Sequence, residues 1–282
     1  MNRILFPTDL SRLSKNAFQY ILRFSSQLNT EITVLHAHSF QEDIRTIFLP
    51  NRDLWAKLTE FVRTDSGEQP GNVSLLMRKG KPLDEILEVA NSSQFRYIAM
   101  SKKKSYNVYR RITGSKTSRI IARSSHPVLV IPEETVFKPI RNILVVDANY
   151  KTLAHPLQEH LLLLSLRCKA NLHYIEIGGA NMQWGSKQKQ LHRDQLLIQK
   201  HIPADLALET IMDYIPDNNI DLIVMATESN DLFNQVYQMR FSKETSEYQE
   251  VPILVFNKHF LKSQNEQPDE VQVAPKSASL TA

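Results

Sequence analysis

Tyr97-Ile98-Ala99-Met100 and Leu222-Ile223-Val224-Met225 are each followed, 27 residues after the methionine, by a proline. Each proline opens an apolar run, Pro127-Val128-Leu129-Val130-Ile131 and Pro252-Ile253-Leu254-Val255-Phe256. A third echo lies at the start of each half: Arg3-Ile4-Leu5-Phe6-Pro7-Thr8-Asp9 and Asn142-Ile143-Leu144-Val145-Val146-Asp147. Self-similarity at long, equal spacing is the mark of a duplicated unit. The chain therefore divides into a first copy over 1–135, a linker over 136–140, a second copy over 141–260 and a polar tail over 261–282. The offset between copies is 139 residues at the opening strand and 125 at the closing one. The second copy is thus shorter in its middle.

Within each copy, short apolar runs alternate with amphipathic ones. Ile4–Phe6, Glu31–His36, Val73–Arg78, Arg96–Met100 and Pro127–Ile131 read as strands. Their apolar character is nearly continuous, as in parallel strands covered on both faces. Between them, Ser11–Leu28 repeats Ala17, Ile21, Phe24 and Leu28 at helical spacing, with Ser11 or Ser14 as cap. Pro82–Asn91 is a second helix with proline in its first turn, and a third runs from Gly114-Ser115 to Ser124. The second copy follows with a helix through Leu157, Leu161 and Leu164, strands Leu172–Ile177 and Leu196–His201, helix Ala204–Tyr214 and strand Ile220–Ala226. The fold class is α/β: two tandem doubly wound domains, each a five-stranded parallel sheet with helices on both faces.

The charge is uneven. Residues 1–138 hold 21 Lys and Arg against 13 Asp and Glu, and the remainder 13 against 17. The basic half could attract an anion. Most of its charges read as a solvated face, and no aromatic interleaving suggests nucleic acid. No apolar run reaches the roughly 20 residues of a membrane span. One cysteine, Cys168, excludes a disulfide within the chain and reads as a small packed residue. The chain is expected in the cytoplasm.

The opening stretch Ile4–His38, together with Gly80–Ser101 and Gly114–Pro132, resembles the universal stress protein family in its tandem form. That resemblance implies an adenine-nucleotide-type sheet with ligand at the carboxyl ends of the strands. Nucleotide-binding members carry Gly, two residues, Gly, nine residues, then Gly-Ser/Thr after strand four. Glycine lets backbone approach phosphate, and the following helix start offers free N–H groups. Placed on this chain, the positions are Ser101, Lys104 and Gly114-Ser115, with Asp9 as the acid that meets adenosine. Both early glycines are replaced. In the second copy the positions are Ala226, Ser229 and Met239-Arg240, and Asp147 falls one residue short of Asp9. Only 7 of 282 residues are glycine.

The expectation is a remnant nucleotide site at Asp9, Ser101, Lys104, Gly114 and Ser115, with no cofactor required. ATP or AMP in the first domain is the alternative, with Lys102–Lys104, Arg110, Arg111 and Lys116 supplying charge. Slow ATP hydrolysis is the third reading, although no catalytic set is found. Gly114-Ser115-Lys116-Thr117 lacks the spacing of a P-loop. His36 and His38 share a strand face without further metal ligands beside them and read as structural. The closing strands Pro127–Ile131 and Pro252–Phe256 are expected to pair within the chain. An unidentified protein partner and a homodimer stay open; membrane and nucleic acid are not expected partners.

Overall fold

The computed structural model describes residues 3–39, 52–64, 67–92, 95–102, 116–133, 135–147, 155–177, 197–203, 206–227, 251–257 and 259–260. The 261–282 tail lies outside them. The strands are β1 (Arg3–Thr8), β2 (Glu31–His38), β3 (Val73–Lys79), β4 (Phe95–Lys102) and β5 (Val128–Pro132), then β6 (Asn142–Asp147), β7 (Asn171–Ile177), β8 (Leu197–Ile202), β9 (Leu222–Thr227) and β10 (Ile253–Asn257). The helices are α1 (Arg12–Leu28), α2 (Arg52–Val62), α3 (Pro82–Ser92), α4 (Lys116–Arg123), α5 (His155–Cys168) and α6 (Ala207–Asp217).

Among the described residues, the strands form one ten-stranded sheet in the order β3-β2-β1-β4-β5-β10-β9-β6-β7-β8. Each half has the same internal order. β1 to β5 and β6 to β10 are both arranged third-second-first-fourth-fifth. All pairs are parallel except β5 with β10, which run antiparallel at the centre. Mixed α/β architecture with a mostly parallel sheet follows from strands apolar on both faces. Leu5, Ile98, Val130, Leu144 and Ile223 face one helix layer, while Ile4, Tyr97, Leu129, Ile143 and Leu222 face the other. Side chains alternate across the pleat, so every strand needs cover on both sides.

The layer over Leu5 and Ile98 holds α3, α4 and α6; the layer over Ile4 and Tyr97 holds α1, α2 and α5. α1 begins at Ser11, whose hydroxyl accepts from the Ser14 N–H, and ends at Asn29 in the left-handed region. Its buried line of Ala17, Phe18, Ile21, Phe24 and Leu28 lies on one face. α2 was not expected from the sequence, although Leu54, Leu58 and Phe61 recur at helical spacing. Lys15 explains its docking: Nζ donates to the Phe61 and Arg63 carbonyls, both at 2.6 Å, and so satisfies the end of α2. α6 begins at Ala207, after a turn in which Leu206 N–H donates to the Pro203 carbonyl, and carries Pro216 in its last turn. Both ends lie about three residues beyond the sequence expectation.

The stretch between the halves is docked. Gln27 Nε2 donates to the Ile140 carbonyl and Ile140 N–H donates to Gln27 Oε1, each at 3.0 Å. Arg167 donates to the Leu28 carbonyl at 2.8 Å. Phe137 sits edge-on to Tyr20, with ring centroids 5.2 Å apart. Cys168 is buried, and burial pushes its thiol up to about 12, as fits a packed residue. Among the described residues, no helix is long and apolar enough to cross a membrane.

Candidate functional site

In an open α/β sheet the crevice for ligand opens where the strand order reverses, at the carboxyl ends. Here that point lies between β1 and β4. Asp9 follows β1 and Ser101 is the penultimate residue of β4, so the two residues flank the crevice. Lys104, Gly114 and Ser115 lie outside the described residues.

The turn after β1 is tightly built. Thr8 Oγ1 accepts from Leu10 N–H at 2.9 Å, and Asp9 Oδ1 accepts from Ser11 N–H at 3.0 Å and from Ser14 Oγ at 2.8 Å. Leu10 takes φ 61, a left-handed conformation that a branched residue adopts only under local constraint. Serving both as turn acceptor and as partner of α1's first turn, the Asp9 carboxylate is fixed in place yet exposed. Burial pushes its carboxyl up, but the hydrogen bonds from Ser11 and Ser14 and the Lys116 charge outweigh that. The result lies below the ordinary value. Asp9 is therefore a fixed anion.

His36 supports the same turn from β2: its Nδ1 lies 3.0 Å from the Thr8 carbonyl, so this nitrogen carries the proton. His38 stacks beside it, ring centroids 6.2 Å apart, and both are buried. No group of three or more metal-ligating side chains forms among the described residues. The pair holds the end of the sheet.

At the other side of the crevice, β4 does not turn away at the first glycine position. Ser101 pairs with Ile131 and Lys102 with Pro132. Thr117 in the first turn of α4 donates to the Ser101 carbonyl at 3.5 Å, a long contact. Lys102 is partly buried, and desolvation lowers its ammonium to about 8. Sequence reading treated Lys102 as one charge in a basic run; its position on the last rung of β4 is the signal that would have set it apart.

The strand register relates the two copies. Ile4 lies beside Ile32 and Tyr97, and Ile143 lies beside Leu172 and Leu222. Counting on, Asp147 occupies the row of Thr8: Thr8 is opposite His36, and Asp147 is opposite Glu176. The counterpart of Asp9 is the next residue, Ala148. Ala226 stands beside Asp147 and continues the ladder to Phe256.

Residues 1–132 match the model described as the universal stress protein family. These residues, a little under half of the chain, carry the similarity to that family. Universal stress protein MJ0577 of Methanocaldococcus jannaschii is 25% identical over 151 residues, covering 46% of this chain and 93% of that protein. Universal stress protein MJ0531 of the same organism is 23% identical over 140 residues, covering 46% and 81%. Among solved structures, a universal stress protein from Archaeoglobus fulgidus superposes with TM-score 0.62 at 16% identity, covering 90% of this chain and 98% of that one. That likeness extends the universal stress protein fold across both halves and speaks of fold alone.

Proposed function

We propose that this chain is a stress-response binding module of the cytoplasm, regulatory rather than enzymatic, whose adenine-nucleotide cradle is reduced in the first half and lost in the second. It acts through a protein partner. The observation that carries this reading is the end of β4. Ser101 and Lys102 continue as paired strand; Ser101 puts a hydroxymethyl group at the first glycine position, where phosphate would need bare backbone, and the partly buried amine of Lys102 follows it. In the second half, the acid Asp147 stands in the row of Thr8, one residue before the position that corresponds to Asp9.

A second reading has an observation in its favour. Asp9 remains exposed, fixed and ionised, with the Lys116 charge close enough to act on it. A first half that senses AMP or ATP through Asp9, Gly114 and Ser115 would use that arrangement.

The readings separate by thermal shift. A ligand that binds only the folded state at about 100 times its Kd adds about 2.7 kcal/mol of stability. Titrating AMP and Mg-ATP to millimolar concentration should leave the melting temperature unchanged. A saturable rise that Asp9→Ala abolishes would establish the sensor and overturn the reduced cradle. Phosphate release above that of the Asp9→Ala protein would point to hydrolysis instead.

A further inference from the structure

The helix layer formed by α3, α4 and α6 carries two stripes of opposite charge. On α4, Lys116, Arg119 and Arg123 are exposed and fall within about 60° around the axis at 3.6 residues per turn. The helix contains no acid. On α6, Glu209, Asp213 and Asp217 recur every fourth residue, all exposed, and the helix contains no base. Both helices bury their other sides in the same core layer, through Ile120 and Ile121 on α4 and Ile211 and Ile215 on α6. The stripes therefore look out from one face of the molecule.

The α6 stripe also borders a groove of about 320 Å³, lined among the described residues by Leu206, Glu209, Thr210, Asp213, Tyr214 and Asp217. Leu206 is 50% exposed there. The Tyr214 hydroxyl is held at 2.9 Å by His173 Nδ1, which fixes one wall. An apolar wall with a carboxylate rim fits an arginine: the stem lies on Leu206 and Tyr214 while the guanidinium fork meets carboxylate.

We propose that a second copy of this chain docks α4 along this groove, so that Arg119 and its neighbours meet Glu209, Asp213 and Asp217. Because both stripes lie on one face, a single two-fold rotation makes the contact twice, α4 to α6 and α6 to α4. The assembly then closes as a dimer rather than growing into a filament. The overall charge favours the same pairing, since the base-rich half of each copy lies over the acid-rich half of the other. α4 already shows its affinity for a carboxylate neighbour within the chain, where Arg123 reaches Asp84 of α3 at 3.4 Å.

Sedimentation of the full chain tests this. At about 20 mM salt the protein should be dimeric, and at about 500 mM salt, where exposed charges are screened, monomeric. Arg119→Glu alone and Asp217→Arg alone should each be monomeric at low salt, with melting temperatures near the parent's to show that both fold. Mixed together, the two variants should form a heterodimer, because each contact again joins opposite charges. A dimer indifferent to salt and to both substitutions overturns the proposal, as does a monomer at every concentration. A monomer whose melting temperature rises with an arginine-rich peptide, an effect lost in Asp217→Arg, would assign the groove to a different protein and equally overturn self-docking.

Discussion

Leu129 and Leu254 stand directly opposite each other across the antiparallel pair of β5 and β10, both buried, at the midpoint of the ten-stranded sheet. Each half would otherwise present an apolar strand edge to solvent, an invitation to aggregation. With the edges joined, the halves share one ladder and one pair of core layers. Leu254→Ala should therefore cost about 2–5 kcal/mol, the usual range for a buried leucine truncation. It should act on both halves together. With Trp184 replaced by Phe, Trp55 on α2 reports the first half alone. Its urea transition should move to lower denaturant although the substitution is in the second half. An unmoved Trp55 transition would show that the halves unfold independently.

Gln27 extends the same coupling to the layer of α1 and α5. Its amide takes both the carbonyl and the N–H of Ile140, whose side chain is 1% exposed, and also reaches the Cys168 carbonyl at 3.4 Å. Gln27→Leu keeps the volume and strips these partners. A buried polar group left unpaired costs about 1–3 kcal/mol, so Gln27→Leu should lower urea stability by that amount. Hydrogen exchange at the Ile140 amide should accelerate in the variant. No change in either measurement would mean that water replaces the amide without penalty.

The strands were legible because burial on both faces leaves a continuous apolar run, as in Val128–Ile131 and Leu222–Ala226. The repeated spacing revealed that the same half-sheet occurs twice. α2 was harder to read, since its few apolar positions, Leu54, Leu58, Phe61 and Val62, stand among polar neighbours. At the site, Asp9 was readable from its place after a strand and before a helix. The left-handed Leu10 and the bond from His36 to the Thr8 carbonyl were not. The His36 bond arises from strands brought together by the fold, and no residue near Leu10 in sequence announces a positive φ. Asp147 illustrates the limit of pattern matching: the acid is in the expected run, and only strand register shows that it stands in the row of Thr8.

Asp9 should give the protein an acid-sensitive component. Its carboxyl lies below the ordinary 3.8 in the folded state, because the Ser11 and Ser14 hydrogen bonds and the Lys116 charge outweigh the opposing effect of burial. A group depressed on folding adds stability above its unfolded pKa and loses it as pH falls through the folded value. Asp9→Asn should therefore melt below the parent at pH 7. The gap should close as both are taken below about pH 4, where the unfolded carboxyl binds its proton. A gap that stays constant from pH 7 to pH 3 would show that Asp9 acts through shape and not charge.

Lys102 carries the opposite sign. Desolvation lowers its ammonium from 10.5 to about 8, so folding places a cost on the charged form. That cost is present in full below the folded value. It lifts as pH rises from about 8 toward 10.5, the window in which the unfolded chain holds the extra proton. Lys102→Met should accordingly melt above the parent at pH 7, and its advantage should shrink on raising the pH to about 10. The same titration bears on the crevice. An anion seated between Asp9 and the end of β4 would favour the charged amine and raise its pKa, moving the window upward. If saturating AMP leaves the window where it is, the amine has no phosphate beside it, as the reduced cradle requires. An upward shift with AMP would place phosphate at Lys102 and favour the sensor.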